Sequence, residues 1–526
     1  MWTSAKIGAL ADGRLFGAND LHFTECVIDS RNVTDGSFFV AIPGQKTDGH
    51  RYIRQAWTSG AVIVMASMER YKAEFCPERR PLGDRDLSDT VPPGKALILV
   101  PDALAALQKL AYMWLRELDP IVVAVTGSNG KTTTKDMIAA VLGAGYQVHK
   151  TPQNMNTEIG LPLSVLQAPP ATEVMVLEMG MRGLKQIEQL CRICRPHIGV
   201  VTNIGSTHIE LLGSQEAIAE AKWELITSLP PEGVAILNAE DAESVRMAEK
   251  RGMRCAKIFY GLEERYAAAQ MRGSCLEPWQ EMGTRFEAVC EVVGRRELLR
   301  RTADRPGTPE AAPDAGDTAD CHCRGLRDRR QASEARISVN LPLPGAHNVL
   351  NALAALAVGR VLEVPLTAGA QALADLSLSN MRLELQPGIA GSRVINDAYN
   401  ANPVSMKASL GVLRERSSGA TIAVLGDMYE LGDLSESGHY EVGAEAAVLD
   451  IGFLITVGPR AAGIARGALE NGLPAERIAR CETHEEALEQ IHRALAQAPL
   501  GAWILVKASR GMRMEKLSSQ IIEVCK

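Results

Sequence analysis

The chain has 526 residues, 46% of them apolar and 23% charged, with a formal net charge of −7. That length exceeds a single hydrophobic core and points to about three soluble domains. A net acidic chain with 4% aromatics lacks the basic field and stacking platforms of nucleic-acid binders, so no nucleic-acid partner is expected.

Near the N-terminus Lys6 is followed by no apolar run, because Asp12 and Arg14 interrupt it; no secretory signal is expected. Eleven cysteines scattered over this length form no disulfide framework and fit reduced thiols in a cytoplasmic enzyme. Short strands and turns fill the first segment, and the charged, proline-bearing PERRPLGDRDLSDTVPPG marks a first boundary, giving a domain over 1–98. From Ile121, apolar runs alternate with helical patterns, the signature of a parallel sheet covered by helices. Strands are expected at Ile121–Val125, Val174–Leu177, Ile198–Asn203 and Val234–Asn238, with a helix over Lys131–Leu142, in a domain over 99–380.

Within that span Arg295–Arg336 is rich in Arg, Asp, Ala and Pro and too poor in large apolar residues to offset ordering entropy; it reads as a disordered insertion. Its Cys321-His322-Cys323 lacks a fourth metal ligand, and Cys191 and Cys194 read as buried thiols at a helix end. The charge-free Ile337–Gly359 carries Pro342, Pro344, His347, Asn348 and Asn351, which disqualify it as a membrane span. Asn348 reads locally as a helix cap. A second strand–helix series, with strands at Val394–Asp397, Thr421–Gly426, Phe453–Val457 and Trp503–Val506, predicts a doubly wound domain over 381–526.

The motif that carries chemistry is TGSNGKTTT, Thr126–Thr134. Gly127 and Gly130, flanking Ser128 and Asn129, let backbone N–H groups approach phosphate oxygens. Lys131 supplies a cation for the β- and γ-phosphates, and the Thr132 or Thr133 hydroxyl can meet Mg²⁺ or phosphate. ATP binding is the expectation. The spacing differs from GxxxxGK[ST], which would need glycine where Val125 stands. Glu178 and His208 each follow a strand and suit magnesium, although singly they read as a strand-end charge and a loop histidine. Lys222 alone reads as a solvated helical lysine. Asp397, Tyr399, Asn400 and Asn402 lie where such sheets bind ligands.

Together these segments, with NMNTEIGLPLSVL, VLEMGMRG, TNIGSTHIELLGS, EAKWEL, PGAHNVLNALAA, LGDMYELG and VKASRGMRME, resemble the Mur ligases of bacterial cell-wall synthesis over nearly the whole chain. NANPVSM, GDMYELG and SRGMRME favour the branch that adds D-alanyl-D-alanine to UDP-N-acetylmuramoyl-tripeptide; the Asp-Asn-Pro-Arg signature of the branch adding the third residue is not visible. The resemblance implies an α/β protein of three domains: an N-terminal UDP-substrate domain, a central P-loop-type ATPase domain with a mostly parallel sheet, and a Rossmann-like C-terminal domain. It implies an acyl-phosphate mechanism and two Mg²⁺ ions in a cytoplasmic enzyme; a monomer is expected, though the sequence leaves the oligomeric state open. By the same resemblance Lys131 neutralises phosphate, Thr132 and Glu178 bind one Mg²⁺, His208 holds a second, and Lys222 occupies a position carbamylated in the family. Asn351 would approach the base, Arg382 the γ-phosphate and Asp397 the ribose. Ser30, Arg31, Asp48 and His50 match the uridine pocket, and Asn154 and Thr157 the diphosphate loop. Tyr399, Asn400, Asp427 and the run Lys507, Ser509, Arg510 fall on the dipeptide side. Thr157, Tyr429 and Ala508 depart from the usual pattern, and Ala508 raises the question of a positive φ where glycine is usual. A folylpolyglutamate-type ligase lacks the matching N-terminal domain, and a non-catalytic nucleotide-binding regulator would not need Lys131, Glu178, His208 and Lys222 together.

Overall fold

The computed structural model describes residues 2–44, 47–75, 87–205, 209–250, 253–262, 269–291, 335–376, 381–498 and 501–522. Among the described residues three sheets form along the chain. The first has five strands in the order Arg14–Gly17, Ala96–Val100, Ile63–Ser67, Phe38–Val40, Cys26–Val27, all parallel except the first pair. Ala96–Val100 therefore sits inside this sheet, after the charged proline-bearing stretch. That stretch is no boundary, and a division at residue 98 would cut a fully buried strand.

The helix Ala103–Leu118 leads out of the first sheet. The Asp102 carboxylate starts it by accepting from the Leu104 and Ala105 N–H groups, and Asp119 ends it in a left-handed conformation. Its apolar face (Ala103, Leu107, Leu110, Ala111, Trp114) belongs to a single core with Phe38, Ile63 and Ile98 of the first sheet and Val122, Ala124 and Leu177 of the second. Burial of those side chains fixes the two sheets to one another.

The second sheet has nine strands, in the order Ala335–Leu341, Gly283–Cys290, Met271–Trp279, Ala256–Leu262, Val234–Asn238, Ile198–Val201, Ile121–Thr126, Val174–Glu178, Val148–Lys150. It is parallel except for an antiparallel run through Gly283–Cys290 at one end. Its central strands read as unbroken apolar runs because helices cover both faces. On one face lie the helices Lys131–Gly143 and Ala346–Val361. The second is apolar nearly all round because it is buried nearly all round. Its N-cap is Gly345; Asn348 does not cap, and its amide instead donates to the Pro344 carbonyl at 2.8 Å. Ala335 and Arg336, read as the end of the insertion, open a strand paired with Gly283–Cys290; residues 292–334, including the Cys-His-Cys triplet, lie outside the described residues. Cys191 and Cys194 are free, buried thiols at the end of the helix Gln186–Cys194.

The third sheet runs Glu384–Gly388, Ser392–Asn396, Trp503–Lys507, Thr421–Gly426, Phe453–Val457, Ile478–Cys481, parallel except for its first pair, with one helical layer and one apolar cluster on each face. Among the described residues no helix is long and apolar enough to cross a membrane.

Candidate active site

The strand Ile121–Thr126 delivers the chain into the loop Gly127–Gly130 and then the helix Lys131–Gly143, whose N-terminal N–H groups face the loop. Glycine is required at both ends. Gly127 and Gly130 have positive φ; a Cβ on the first would collide with the Thr202 hydroxyl, and one on the second would lie 2.7 Å from Asn351 Oδ1. The next strand pins the loop. Ser128 N–H donates to Asn203 O (2.9 Å) and Asn129 N–H to Asn203 Oδ1 (2.9 Å), while the Thr202 hydroxyl and the Asn203 amide donate to Asn129 O at 2.6 and 3.1 Å. Lys131 curls over this cradle, donating to Gly127 O (2.6 Å) and Ser128 O (3.3 Å). Burial lowers its pKa, and the nearby Glu178 charge opposes that shift.

Glu178 ends the adjacent strand Val174–Glu178 and is 2% exposed. Its Oε1 accepts from the Asn156 amide at 2.8 Å, and its backbone N–H donates to Thr151 Oγ1 at 3.0 Å. Its Oε2 is buried with no hydrogen-bond partner, Lys135 Nζ standing 3.9 Å away. A buried carboxylate oxygen left unmet is costly unless a cation meets it. With the buried Thr132 hydroxyl in the first turn of the neighbouring helix, it supplies the hard oxygen donors that magnesium takes. Among the described residues no three His, Cys, Asp or Glu side chains cluster as a metal site. His208 lies outside the described residues.

Lys222 is not the solvated side chain that its helix alone suggested. It is 1% exposed on Gln215–Thr227, and among the described residues it has no hydrogen-bond or ion-pair partner. Desolvation first, and then the Lys131 charge, push its pKa well below the usual lysine range.

The third sheet brings in the next groups. Arg382 donates through Nη2 to Thr132 Oγ1 at 2.9 Å, and its guanidinium carbon stands 4.2 Å from the Tyr399 ring centroid. Arg510 lies 5.8 Å from the same ring. Burial raises the Tyr399 pKa against the pull of Arg382, keeping the phenol neutral. Asp397 is held in a buried group: Lys507 Nζ donates to it at 2.5 Å and Ser409 Oγ at 2.7 Å, and Lys507 also reaches Asn400 O at 3.0 Å. Asp427 is buried, accepting from Ala461 N–H at 2.8 Å, and Ser509 Oγ accepts from Tyr429 N–H at 2.8 Å. Asn400 and Arg510 are exposed. Ala508 is buried without a positive φ, so the departure from glycine strains nothing.

Asn351 lies beneath the loop, its Oδ1 accepting from Thr134 Oγ1 at 3.0 Å, and Thr133 is buried at the start of the same helix. Asn154 and Thr157 are exposed on the segment after Val148–Lys150, where Thr157 Oγ1 accepts from Gly160 N–H. In the first sheet, His50 is 1% exposed; its Nε2 accepts from Ser67 N–H at 3.0 Å, so its Nδ1 donates to Asp48 at 2.6 Å. Burial works against the Asp48 carboxylate, but the His50 N–H, the His50 ring and Arg70 hold its pKa down at about 2. Ser30 Oγ donates to Gln55 Oε1 at 3.2 Å, and Arg31 is exposed and paired with Asp29.

Three residues beside Glu178 escaped the sequence reading. Lys135, 1% exposed, donates to Thr151 O at 2.8 Å, Thr151 Oγ1 holds Glu178, and Asn156 holds its Oε1. Only Asn156 carried a signal, since it lies inside the segment NMNTEIG.

Family models match three stretches: Mur ligase family, catalytic domain at residues 22–112; Mur ligase middle domain at 125–289; and Mur ligase, glutamate ligase domain at 381–510. The chain is 36% identical over 496 residues to the UDP-N-acetylmuramoyl-tripeptide--D-alanyl-D-alanine ligase of Bacillus subtilis, covering 94% of this chain and 92% of that one. It is 33% identical over 514 residues to the enzyme of the same description from Synechocystis, covering 96% and 93%. Among solved structures, MurF from Acinetobacter baumannii superposes with a TM-score of 0.76 at 25% identity, covering 99% and 98% of the two chains. The MurF ligase of Thermotoga maritima, crystallised in complex with ADP, gives 0.69 at 27% identity, covering 95% and 98%. The glycine loop with its short spacing, the Glu178 oxygen without a hydrogen bond beside it, and these matches along all three sheets have one explanation: this chain belongs to the Mur ligase family.

Proposed function

We propose that the chain joins D-alanyl-D-alanine to UDP-N-acetylmuramoyl-tripeptide at the expense of ATP, in cytoplasmic peptidoglycan precursor synthesis. The observation that carries this reading is the convergence of Lys131, Thr132, Glu178 and Arg382 on one loop, reached from the second and third sheets, within a chain alike along its length to ligases described by that reaction. The tripeptide carboxylate attacks the γ-phosphorus of ATP, breaking its bond to the β-phosphate oxygen and releasing ADP. The dipeptide amine then attacks the acyl phosphate, loses its proton, and expels inorganic phosphate. No protein nucleophile is needed, so this chain's contribution is placement and charge.

Loop N–H groups and the helix N-terminus bind the phosphates, with the Lys131 ammonium turning from the loop carbonyls to phosphate oxygen. Arg382, braced on Tyr399, neutralises the transferring group. Thr132 and Glu178 would hold magnesium, which when bound supplies charge neutralisation between phosphate oxygens; His208 is assigned to a second ion. Lys222, a buried amine with no hydrogen-bond or ion-pair partner among the described residues, is the proposed site of carbamylation, which would convert it to an anion beside the Lys131 charge. Asn351 and Asp397 are assigned to the nucleoside, the Ser30, Arg31, Asp48 and His50 group to uridine, Asn154 and Thr157 to the diphosphate, and Tyr399, Asn400, Asp427, Lys507, Ser509 and Arg510 to the dipeptide side. The working unit is a monomer, a point that sedimentation equilibrium tests.

The deciding experiment supplies ATP, UDP-N-acetylmuramoyl-tripeptide and D-alanyl-D-alanine and follows phosphate release and the pentapeptide product. Phosphate release that does not depend on the dipeptide would overturn the assignment.

A further inference from the structure

Asn402 sits at the junction of two elements that a short polar side chain rarely serves together. It is the N-cap of the helix Pro403–Arg416: its Oδ1 accepts from Ser405 N–H at 2.9 Å, and its own N–H donates to Ser405 Oγ at 3.0 Å. Its other amide atom points away from that helix. Nδ2 donates to Asn129 Oδ1 at 2.5 Å, across 273 residues of sequence, and Asn129 lies in the phosphate loop. The main chain of Asn129 is already fixed by Thr202 and Asn203, so its side chain is held out toward the third sheet. Arg382 makes the parallel contact from the same sheet to Thr132, on the far side of Gly130 and Lys131. The loop is thus gripped at two points from the C-terminal unit.

Capping alone does not call for asparagine. Serine and aspartate cap about as well, but neither carries an N–H₂ group beside the capping oxygen. We propose that Asn402 is a positioning residue that seats the phosphate loop against the C-terminal sheet, holding the ATP side and the dipeptide side of the reaction in register. This rests on reading Thr126–Thr134 as the ATP-phosphate site. The amide oxygen stabilises the helix, and the amide nitrogen serves the chemistry.

The variant Asn402→Ser separates the two roles, because it keeps the cap and removes the bridge. Expected are a melting temperature within about 2 °C of wild type, unchanged UDP-substrate binding in the absence of nucleotide, and a kcat lower by roughly five- to tenfold, the worth of one hydrogen bond lost. Asn129→Ser should fall equally, and the double variant should be no worse than either single one. Wild-type kcat in Asn402→Ser, with Asn402→Ala impaired, would assign the residue to capping alone and overturn the proposal. So would a double variant whose defect is the product of the two single ones. A Lys131→Ala variant that binds ADP like wild type would instead sink the phosphate-site reading, whatever the outcome of the cycle.

Discussion

Gly130→Ala tests the phosphate loop at one atom. At φ +78° an alanine costs about 1–2 kcal/mol relative to an unstrained residue. The new methyl would also lie 2.7 Å from Asn351 Oδ1, inside contact distance. Asn351 cannot give way freely, because that oxygen accepts from Thr134 Oγ1 and its Nδ2 donates to Asn348 Oδ1. Moving it sacrifices a buried hydrogen bond, worth about 1 kcal/mol. The two contributions together reach about 2–3 kcal/mol, which for a cooperative unit of this size lowers the melting temperature by roughly 4–12 °C. The loop N–H groups shift with the strain, so ADP affinity measured by titration calorimetry should fall at least about tenfold. The contact contribution can be isolated by repeating the substitution in an Asn351→Ala background, where only the backbone cost of about 1–2 kcal/mol remains. Equal destabilisation in both backgrounds, or a Gly130→Ala protein that melts and binds ADP like wild type, would refute the reasoning.

Glu178→Gln keeps the acceptor for Asn156 but removes the charge at the open oxygen; magnesium-dependent nucleotide binding should weaken by at least about a hundredfold, while magnesium-independent binding changes little, as a titration with and without the ion would reveal. Lys222→Ala should lose ligase activity and regain part of it with added bicarbonate or a short-chain carboxylic acid, and full activity in the plain alanine variant would end the carbamate proposal. Asp48 has a folded-state pKa depressed from 3.8 to about 2, so its contribution is present above pH 3.8 and disappears as pH falls through about 2. Asp48→Asn should therefore lower stability at pH 7 by about 1 kcal/mol, read as a lower urea midpoint, because the carboxylate is still partly exposed to screening water, and the difference from wild type should close on acidification.

Much of the second and third sheets is legible in the sequence alone. Val234–Asn238, Thr421–Gly426 and Phe453–Val457 form over the expected spans because a strand buried on both faces must be apolar throughout and is bounded by polar turns. The reading failed where local composition and tertiary role diverge. The charged stretch before Ala96 looks like a linker, yet the strand after it returns into the first sheet. Asn348 looks like a cap, yet Gly345 begins that helix and the amide turns back to Pro344. Lys135 and Thr151 carry no pattern at all; they matter only because a helix and a strand edge meet beside Glu178.

From residues alone came the glycine loop proposed to hold phosphate, whose chemistry is local: two glycines, a lysine and a threonine stand in consecutive turns, no more than a few residues apart. Tertiary structure decided everything that depends on long-range contact. It sank Lys222 into the core, left one oxygen of Glu178 without a hydrogen bond, and brought Arg382 and Asn402 across more than 200 residues onto that loop. Periodicity reports which face of an element is buried. It carries no record of which distant side chain will meet that face, because that is settled by how the sheets pack.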